Sequence, residues 1–122
     1  MTDEIKVLCE ANFIPEQSSA EQSRFVFGYT ITITNHSTET VKLLSRSWVI
    51  TDADGKTTIV EGEGVIGQQP VISTKQSFRY SSGALLKTPV GTMHGQYTML
   101  ANGRQIMVEI PVFRLAIPNS VH

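Results

Sequence analysis

Three glycines of the segment EGEGVIGQQPVI, residues 61–72, have the spacing of a dinucleotide-binding loop. Gly62, Gly64 and Gly67 match the pattern G-x-G-x-x-G. In proteins that bind a pyrophosphate through this pattern, the glycines follow a strand and open a helix, whose first amides and dipole attract the phosphates. The spacing therefore raises the hypothesis of a nucleotide or pyrophosphate site at these three positions.

The residues around the glycines fit such a site poorly. The sequence QQPVIST, residues 68–74, follows them and is a poor helix former, because two β-branched apolar residues are followed by Ser-Thr. The acid that would bind the ribose is missing, since no Asp or Glu occurs between Gly64 and Val108, and Glu61 and Glu63 would repel a phosphate. We therefore expect these glycines to supply positive φ angles or close backbone approaches, with pyrophosphate binding as the alternative.

The stretch without acids contains four cations. Lys75, Arg79, Lys87 and Arg104 all lie in the window from residue 64 to residue 108. One interpretation is chance combined with the interleaving of strands; the other is a single surface that accepts an anionic ligand or partner. We predict that any bound anion prefers these cations, provided that the fold brings some of them together, and that its binding weakens as salt rises.

The remaining candidates for chemistry lack partners in the sequence. The sequence DADG, residues 52–55, imitates the start of a calcium loop but lacks the later ligands, so we interpret it as a hairpin turn. His36 and His94 have no Cys or His at ligand spacing, and Cys9 has no obvious base. We predict no catalytic residue, no metal site and no cofactor, and we expect the protein not to be an enzyme.

Length and composition restrict the class of protein. The 122 residues fit one domain, residues 1–122, and leave little room for two. With 10 Lys and Arg against 11 Asp and Glu, charge gives no argument for nucleic-acid binding. The N-terminus lacks the apolar region of a signal peptide, and no apolar run approaches the roughly 18 residues that span a bilayer. A single cysteine fits a reducing compartment, so we expect a soluble cytoplasmic protein.

Alternation of apolar and other residues predicts a chain of β-strands. From residue 25 to residue 34 every second residue is aromatic or isoleucine, which is typical of a strand with one buried face. The dipeptides Asp54-Gly55 and Asn102-Gly103 favour tight hairpin turns, and Pro111, where the apolar parity changes, predicts a bulge or bend in an edge strand. The predicted strands lie near residues 4–13, 24–35, 41–52, 56–61, 75–82, 93–101 and 104–116.

This pattern predicts an all-β fold, an immunoglobulin/fibronectin type III-like β-sandwich of about seven antiparallel strands. The sequence HGQYTM, residues 94–99, resembles the tyrosine corner of such folds, with Met99 in the place of a core cysteine. Trp48 lies on the third long strand, where these folds bury a tryptophan, and Leu44 and Ile50 share its parity. We expect Trp48 to lie between the sheets and near Met99.

Four strings of the sequence carry a family resemblance: VKLLSRSWVITDADG, EGEGVIGQQPVI, FRYSSGALLKTPVGTMHGQY and EIPVFRLAIP. They are similar to the bacterial ApaG family, and the similarity runs from about Phe25 to Pro118. Two departures are visible: family members often carry an aromatic residue or histidine in place of Ser47, and Pro-Gly in place of Thr74-Lys75.

The resemblance implies an immunoglobulin- or fibronectin-like β-sandwich and an association with cobalt resistance and magnesium efflux. The bacterial gene commonly neighbours that of a diadenosine tetraphosphate hydrolase, and the glycine motif of the family has prompted suggestions of pyrophosphate binding. Similar domains in eukaryotic F-box proteins and in a polymerase-δ-interacting protein look like protein-interaction modules.

Two hypotheses of function follow from the residues and the resemblance together. The first is a non-catalytic protein-interaction domain, linked through an unidentified protein partner to Co²⁺ and Mg²⁺ homeostasis. The alternative is a small-molecule module that binds a nucleotide or pyrophosphate, for example a dinucleoside polyphosphate. A homodimer is a further hypothesis, because a sandwich leaves edge strands exposed.

Overall fold

The computed structural model describes residues 2–118, which fold almost entirely into β-strands. Short 3₁₀ turns, Thr2–Glu4 and Pro15–Gln17, precede the first strand and follow it. No helix in these residues is long and apolar enough to cross a membrane. The strands are β1 (Ile5–Phe13), β2 (Phe25–Asn35), β3 (Val41–Asp52), β4 (Thr57–Glu63), β5 (Val71–Ile72), β6 (Ser77–Leu86), β7 (Val90–Ala101) and β8 (Arg104–Ala116).

Two antiparallel sheets pack face to face, which confirms the predicted sandwich. The smaller sheet has the strand order β1-β2-β6, and the larger sheet has the order β4-β3-β7-β8. The two-residue strand β5, which was not predicted, pairs with β3 beyond the end of β4. Strand β6 ends later than the predicted residue 82, because it stays paired with β2 up to the pair Phe25 and Leu86.

Both predicted hairpin turns are present. Asn102 and Gly103 both have positive φ, 50° and 80°, as expected for a tight turn between β7 and β8. The turn between β3 and β4 is closed by the Asp52 carboxylate, which accepts hydrogen bonds from the backbone N–H groups of Asp54 (2.9 Å) and Lys56 (3.0 Å). The DADG segment therefore uses its first acid to shape a turn.

Trp48 is buried between the sheets, as predicted, with 2% of its surface exposed. Its indole makes edge-on ring contacts with Tyr29 at 5.5 Å and with Phe113 at 5.8 Å. Met99 is not its neighbour, because Met99 lies opposite Leu43 in the ladder and Trp48 lies opposite Gly95. The indole N–H finds no acceptor among the described residues, so ring packing must offset a cost of about 1–3 kcal/mol.

A tyrosine pair joins the two sheets through the core. The hydroxyls of Tyr80 on β6 and Tyr97 on β7 lie 2.5 Å apart and are both buried. Tyr97 therefore does not form the predicted tyrosine corner, in which the hydroxyl would bond the backbone a few residues upstream. Burial raises the pKa of both phenols above the ordinary value, so both stay protonated near neutral pH.

Two bulges change the parity of their strands. In β3 the register with β7 shifts between Leu43 and Ser45, so Leu43 faces the core and Leu44 is the extra residue. The predicted parity of Leu44 with Trp48 is therefore wrong, although Ile50 packs against the core as expected. In β8 the register shifts opposite His94, at Pro111, which confirms the predicted bulge in an edge strand.

Gly95 lets the central strands of the larger sheet approach each other beside the indole. A Cβ atom at this position would lie 2.0 Å from the backbone oxygen of Ser47 and 3.1 Å from the Cα of Trp48. Those atoms belong to the backbone of β3, so rotation of a side chain cannot relieve the overlap. Glycine is therefore required at position 95 if β3 and β7 are to keep this spacing.

We expect Gly95→Ala to lower the free energy of unfolding by about 3 kcal/mol or more, because β3 and β7 must separate at the core. Gly83→Ala is the matched control, since it also lies in a strand and its Cβ would meet only the Phe27 oxygen at 3.4 Å. The control should change stability by less than about 1 kcal/mol. Urea unfolding measures both, and equal losses would contradict the assigned role of Gly95.

Candidate functional site

The last glycine of the G-x-G-x-x-G pattern lies in a hairpin turn, not before a helix. Val65 and Gln68 exchange backbone hydrogen bonds of 2.8 and 2.9 Å. The two residues between them, Ile66 and Gly67, have φ angles of 43° and 77°. Two successive positive φ angles are the signature of a type I′ turn, in which glycine is favoured at the second position. This part of the motif makes the chain reverse direction between β4 and β5.

Gly64 is required by a close approach within the same turn. Its φ angle is 63°, and a Cβ atom would lie only 2.1 Å from the backbone oxygen of Gln68. Its N–H donates to the Leu44 oxygen at 2.8 Å, so this amide is already used in the sheet. The expected positive φ angles are thus confirmed at Gly64 and Gly67.

Gly62 leaves room for the side chain of Arg46. A Cβ atom at Gly62 would lie 2.8 Å from Nη1 of that guanidinium. The same Nη1 donates to the backbone oxygens of Glu63 at 3.2 Å and Gly64 at 2.9 Å. Arg46 on β3 therefore holds the end of β4 in place, and each glycine of the motif has a structural reason for its identity. Whether the segment also binds pyrophosphate stays a prediction.

The four cations of the acid-free window do not form one patch. Lys75 precedes β6 and Lys87 follows it, so a ten-residue strand of roughly 33 Å separates them. Arg79 lies on β6, and Arg104 begins β8 at the same end of the sandwich as Lys75. The guanidinium of Arg104 forms an ion pair of 2.6 Å with Glu39. The fold thus groups Lys75, Arg79 and Arg104 loosely, leaves Lys87 at the other end, and neutralises part of the charge.

Lys75 occupies a position at which glycine would be favoured. Its φ angle is 64°, in the left-handed region, and its N–H donates to the Asn35 oxygen at 2.7 Å. This is the Thr74-Lys75 turn, where the resemblance described above implies Pro-Gly instead. A lysine in this conformation costs about 1–2 kcal/mol relative to glycine.

The outward side of the larger sheet spans the strands β4, β3, β7 and β8, and we call it the outer face. Its centre is a row of polar side chains that crosses four strands, in the order Glu61, Ser47, Gln96 and Glu109. The Ser47 hydroxyl donates to Glu61 Oε2 at 3.3 Å. A groove of about 300 Å³ crosses the row beside His94.

Apolar side chains flank this polar row on the outer face. Ile59 and Val112 are each 65% exposed, and Met107 is 51% exposed. Val49 and His94 lie between Ile59 and Val112 in the sheet, so this second row, apolar except for His94, crosses its whole width. No cluster of three or more His, Cys, Asp or Glu side chains that could hold a metal ion occurs within residues 2–118.

The sequence did not reveal the outer-face row, because its four residues come from four distant segments. Alternation within each strand could have predicted that Ser47 and Gln96 face outward, since each is next to a core residue in its strand. Their alignment depends on the register between strands. The bulges at Leu44 and Pro111 set that register, and the sequence marks only the second with a proline.

We expect Gly64→Ala to lower the free energy of unfolding by about 2–3 kcal/mol or more, because the new Cβ would overlap the Gln68 oxygen. Gly67→Asn is the matched control: no atom lies within 4 Å of its Cβ position, and asparagine tolerates positive φ. The control should lose less than about 1 kcal/mol. Thermal and urea unfolding measure the difference, and equal losses would contradict the assigned roles.

Comparison with known proteins identifies relatives along nearly the whole chain. A family model described as the ApaG domain matches residues 15–101. Protein ApaG of Vibrio cholerae is 54% identical over 116 residues, covering 94% of this chain and 92% of that protein. Protein ApaG of Proteus mirabilis is 48% identical over 122 residues, covering 99% and 98%. The crystal structure of the putative ApaA protein from Bordetella pertussis superimposes with a TM-score of 0.92 at 40% identity, covering 95% of both chains. The chain therefore belongs to the ApaG domain family.

Proposed function

We propose that this protein is a non-catalytic protein-interaction domain of the cytoplasm, whose partner acts in Co²⁺ and Mg²⁺ homeostasis. The observation that carries the proposal is the outer face, where Ile59, Met107 and Val112 are exposed around a polar row. Exposed apolar side chains framed by polar ones are typical of protein-binding surfaces. The outer face also spans four strands, a width that suits a protein better than a small molecule.

The state of the buried titratable groups supports a non-catalytic role. Burial raises the pKa of the Cys9 thiol to about 11, so this thiol is protonated near neutral pH and is a poor nucleophile. The hydroxyls of Tyr80 and Tyr97 are bonded to each other within the core, out of reach of a substrate.

The link to cobalt and magnesium rests on the family resemblance, and we therefore assign cation handling to the complex with the partner.

The proposal is tested by purifying the tagged protein from its native cells. We expect one protein partner in stoichiometric amount, and we expect Val112→Lys on the outer face to abolish its recovery, because a charge is placed within the interface. Leu8→Lys is the matched control, since Leu8 is 57% exposed on the opposite sheet. Deleting the gene of the partner or the gene of this protein should change Co²⁺ tolerance by the same amount. Deleting both genes should change it no further than either single deletion.

Recovery of no partner, together with turnover of a nucleotide, would contradict the proposal.

The second candidate function is binding of a nucleotide or pyrophosphate, and the placement of Lys75 and Arg79 at one end of the sandwich favours it. Amide shifts on titration with Mg²⁺, Co²⁺, ATP and a dinucleoside polyphosphate distinguish the two. We expect only weak, salt-sensitive shifts near those cations. A saturable, salt-resistant site of micromolar affinity at Gly64 and Gly67 would favour the second function.

A further inference from the structure

We propose that the free edge of β4 binds an extended, basic segment of a protein partner, which adds to the larger sheet as an antiparallel strand. The inference rests on the proposed function and names the chemistry of the partner. β4 is the terminal strand of its sheet, and six of its seven residues are exposed. The strand with which it pairs is β3.

Hydrogen bonds at the two ends of the β3–β4 ladder establish which groups of β4 face outward. The Asp52 N–H donates to the Lys56 oxygen at 3.0 Å, and the Gly64 N–H donates to the Leu44 oxygen at 2.8 Å. The register between these bonds is continuous, so bonded and non-bonded pairs alternate. The pairs that include Thr58, Val60 and Gly62 therefore bond β3. The N–H and C=O groups of the residues between them point away from the sheet. Those residues are Thr57, Ile59, Glu61 and Glu63.

The other strand edges are less suited to pairing. β8 carries Pro111 and a bulge, which interrupt a row of backbone donors, and β1 packs against β8 at that side of the sandwich. β6 carries Arg79, whose positive charge would repel a basic segment. β4 has neither a proline nor a cation, and two apolar residues, Ile59 and Val60, lie in its middle.

The side chains of β4 specify a basic occupant. Ile59, Glu61 and Glu63 alternate along the strand and share the outer face. Glu61 accepts a hydrogen bond from Ser47, and within residues 2–118 neither acid forms an ion pair. In an added antiparallel strand, directly opposite residues interact most strongly. The matching segment therefore reads basic-x-basic-x-apolar, with its basic residues opposite Glu63 and Glu61 and its apolar residue opposite Ile59.

A labelled peptide with this pattern tests the proposal by fluorescence anisotropy. In the sequence Arg-Thr-Arg-Val-Val-Thr-Thr, the arginines lie opposite Glu63 and Glu61, and the second valine lies opposite Ile59. We expect saturable binding that weakens as salt rises. Methylating the backbone nitrogens of the second arginine and the second valine should abolish binding, because those amides face β4 in the proposed pairing.

Two variants of the protein separate the backbone contribution from the charge contribution. Ile59→Pro removes an outward N–H but leaves the β3 ladder intact, and we expect it to weaken binding at least about tenfold. The double variant Glu61→Lys and Glu63→Lys should also weaken binding about tenfold or more. It should in turn bind the peptide in which glutamate replaces both arginines. Because these two substitutions are on the surface, the charge swap is informative even if Ile59→Pro fails to fold.

The proposal is overturned if the basic peptide does not bind, or if Ile59→Pro, folded by circular dichroism, binds it as tightly as the parent. It is also overturned if sedimentation shows a dimer of this chain that Ile59→Pro dissociates, because a second copy would then occupy the edge. Failure here is distinguishable from failure of the proposed function. If only the strand-pairing proposal fails, the native partner is still recovered with the parent protein and is not recovered with Val112→Lys. Ile59→Pro then still recovers the partner.

Discussion

The packing of Trp48 against a strand that lacks a side chain at Gly95 determines the geometry of the larger sheet. The indole fills the centre of the sandwich and contacts aromatic rings from β2, β7 and β8. It can do so because β3 and β7 approach closely where Gly95 stands opposite. The aromatic cluster and the Tyr80–Tyr97 bond then join the two sheets without a disulfide. A large core of this kind suffices for a domain of this length.

The arrangement of β3 connects the core to the surfaces that we assign to function. Trp48 and Arg46 both belong to the inward side of β3, but Arg46 lies further toward the end of the ladder, opposite Gly62. Its guanidinium bonds two carbonyls where β4 ends, so the glycine-rich turn is held against the sheet. The alternate residues Ser45, Ser47 and Val49 then face outward. Packing in the core thus fixes both the outer face and the position of the β4 edge.

Much of this fold could be predicted from the sequence, because alternation within one strand is a local property. The strand from residue 25 to residue 35, the burial of Trp48 and the bulge at Pro111 all follow from such local patterns. The bulge at Leu44 was missed, since no proline or glycine marks it, and the parity of Leu44 was assigned wrongly as a result. The partner of Tyr97 was also missed, because Tyr80 lies in the other sheet.

The candidate site was less predictable, because it depends on which strands are neighbours. The acid-free window is continuous in sequence, yet its cations lie at both ends of the sandwich, since β6 runs its full length. The glycine spacing matched a dinucleotide-binding loop, but Arg46 of β3 lies against Gly62, and Gln68, on the far side of the turn, lies against Gly64. The free edge of β4 follows only from the strand order.

Hydrogen exchange of single backbone amides in the free protein tests most directly whether the β4 edge is open. We expect the amides of Thr58, Val60 and Gly62 to exchange at least about 100-fold more slowly than those of Ile59 and Glu61, because only the first group bonds β3. Uniform protection along β4 would contradict the account, since another strand would then already cover the edge.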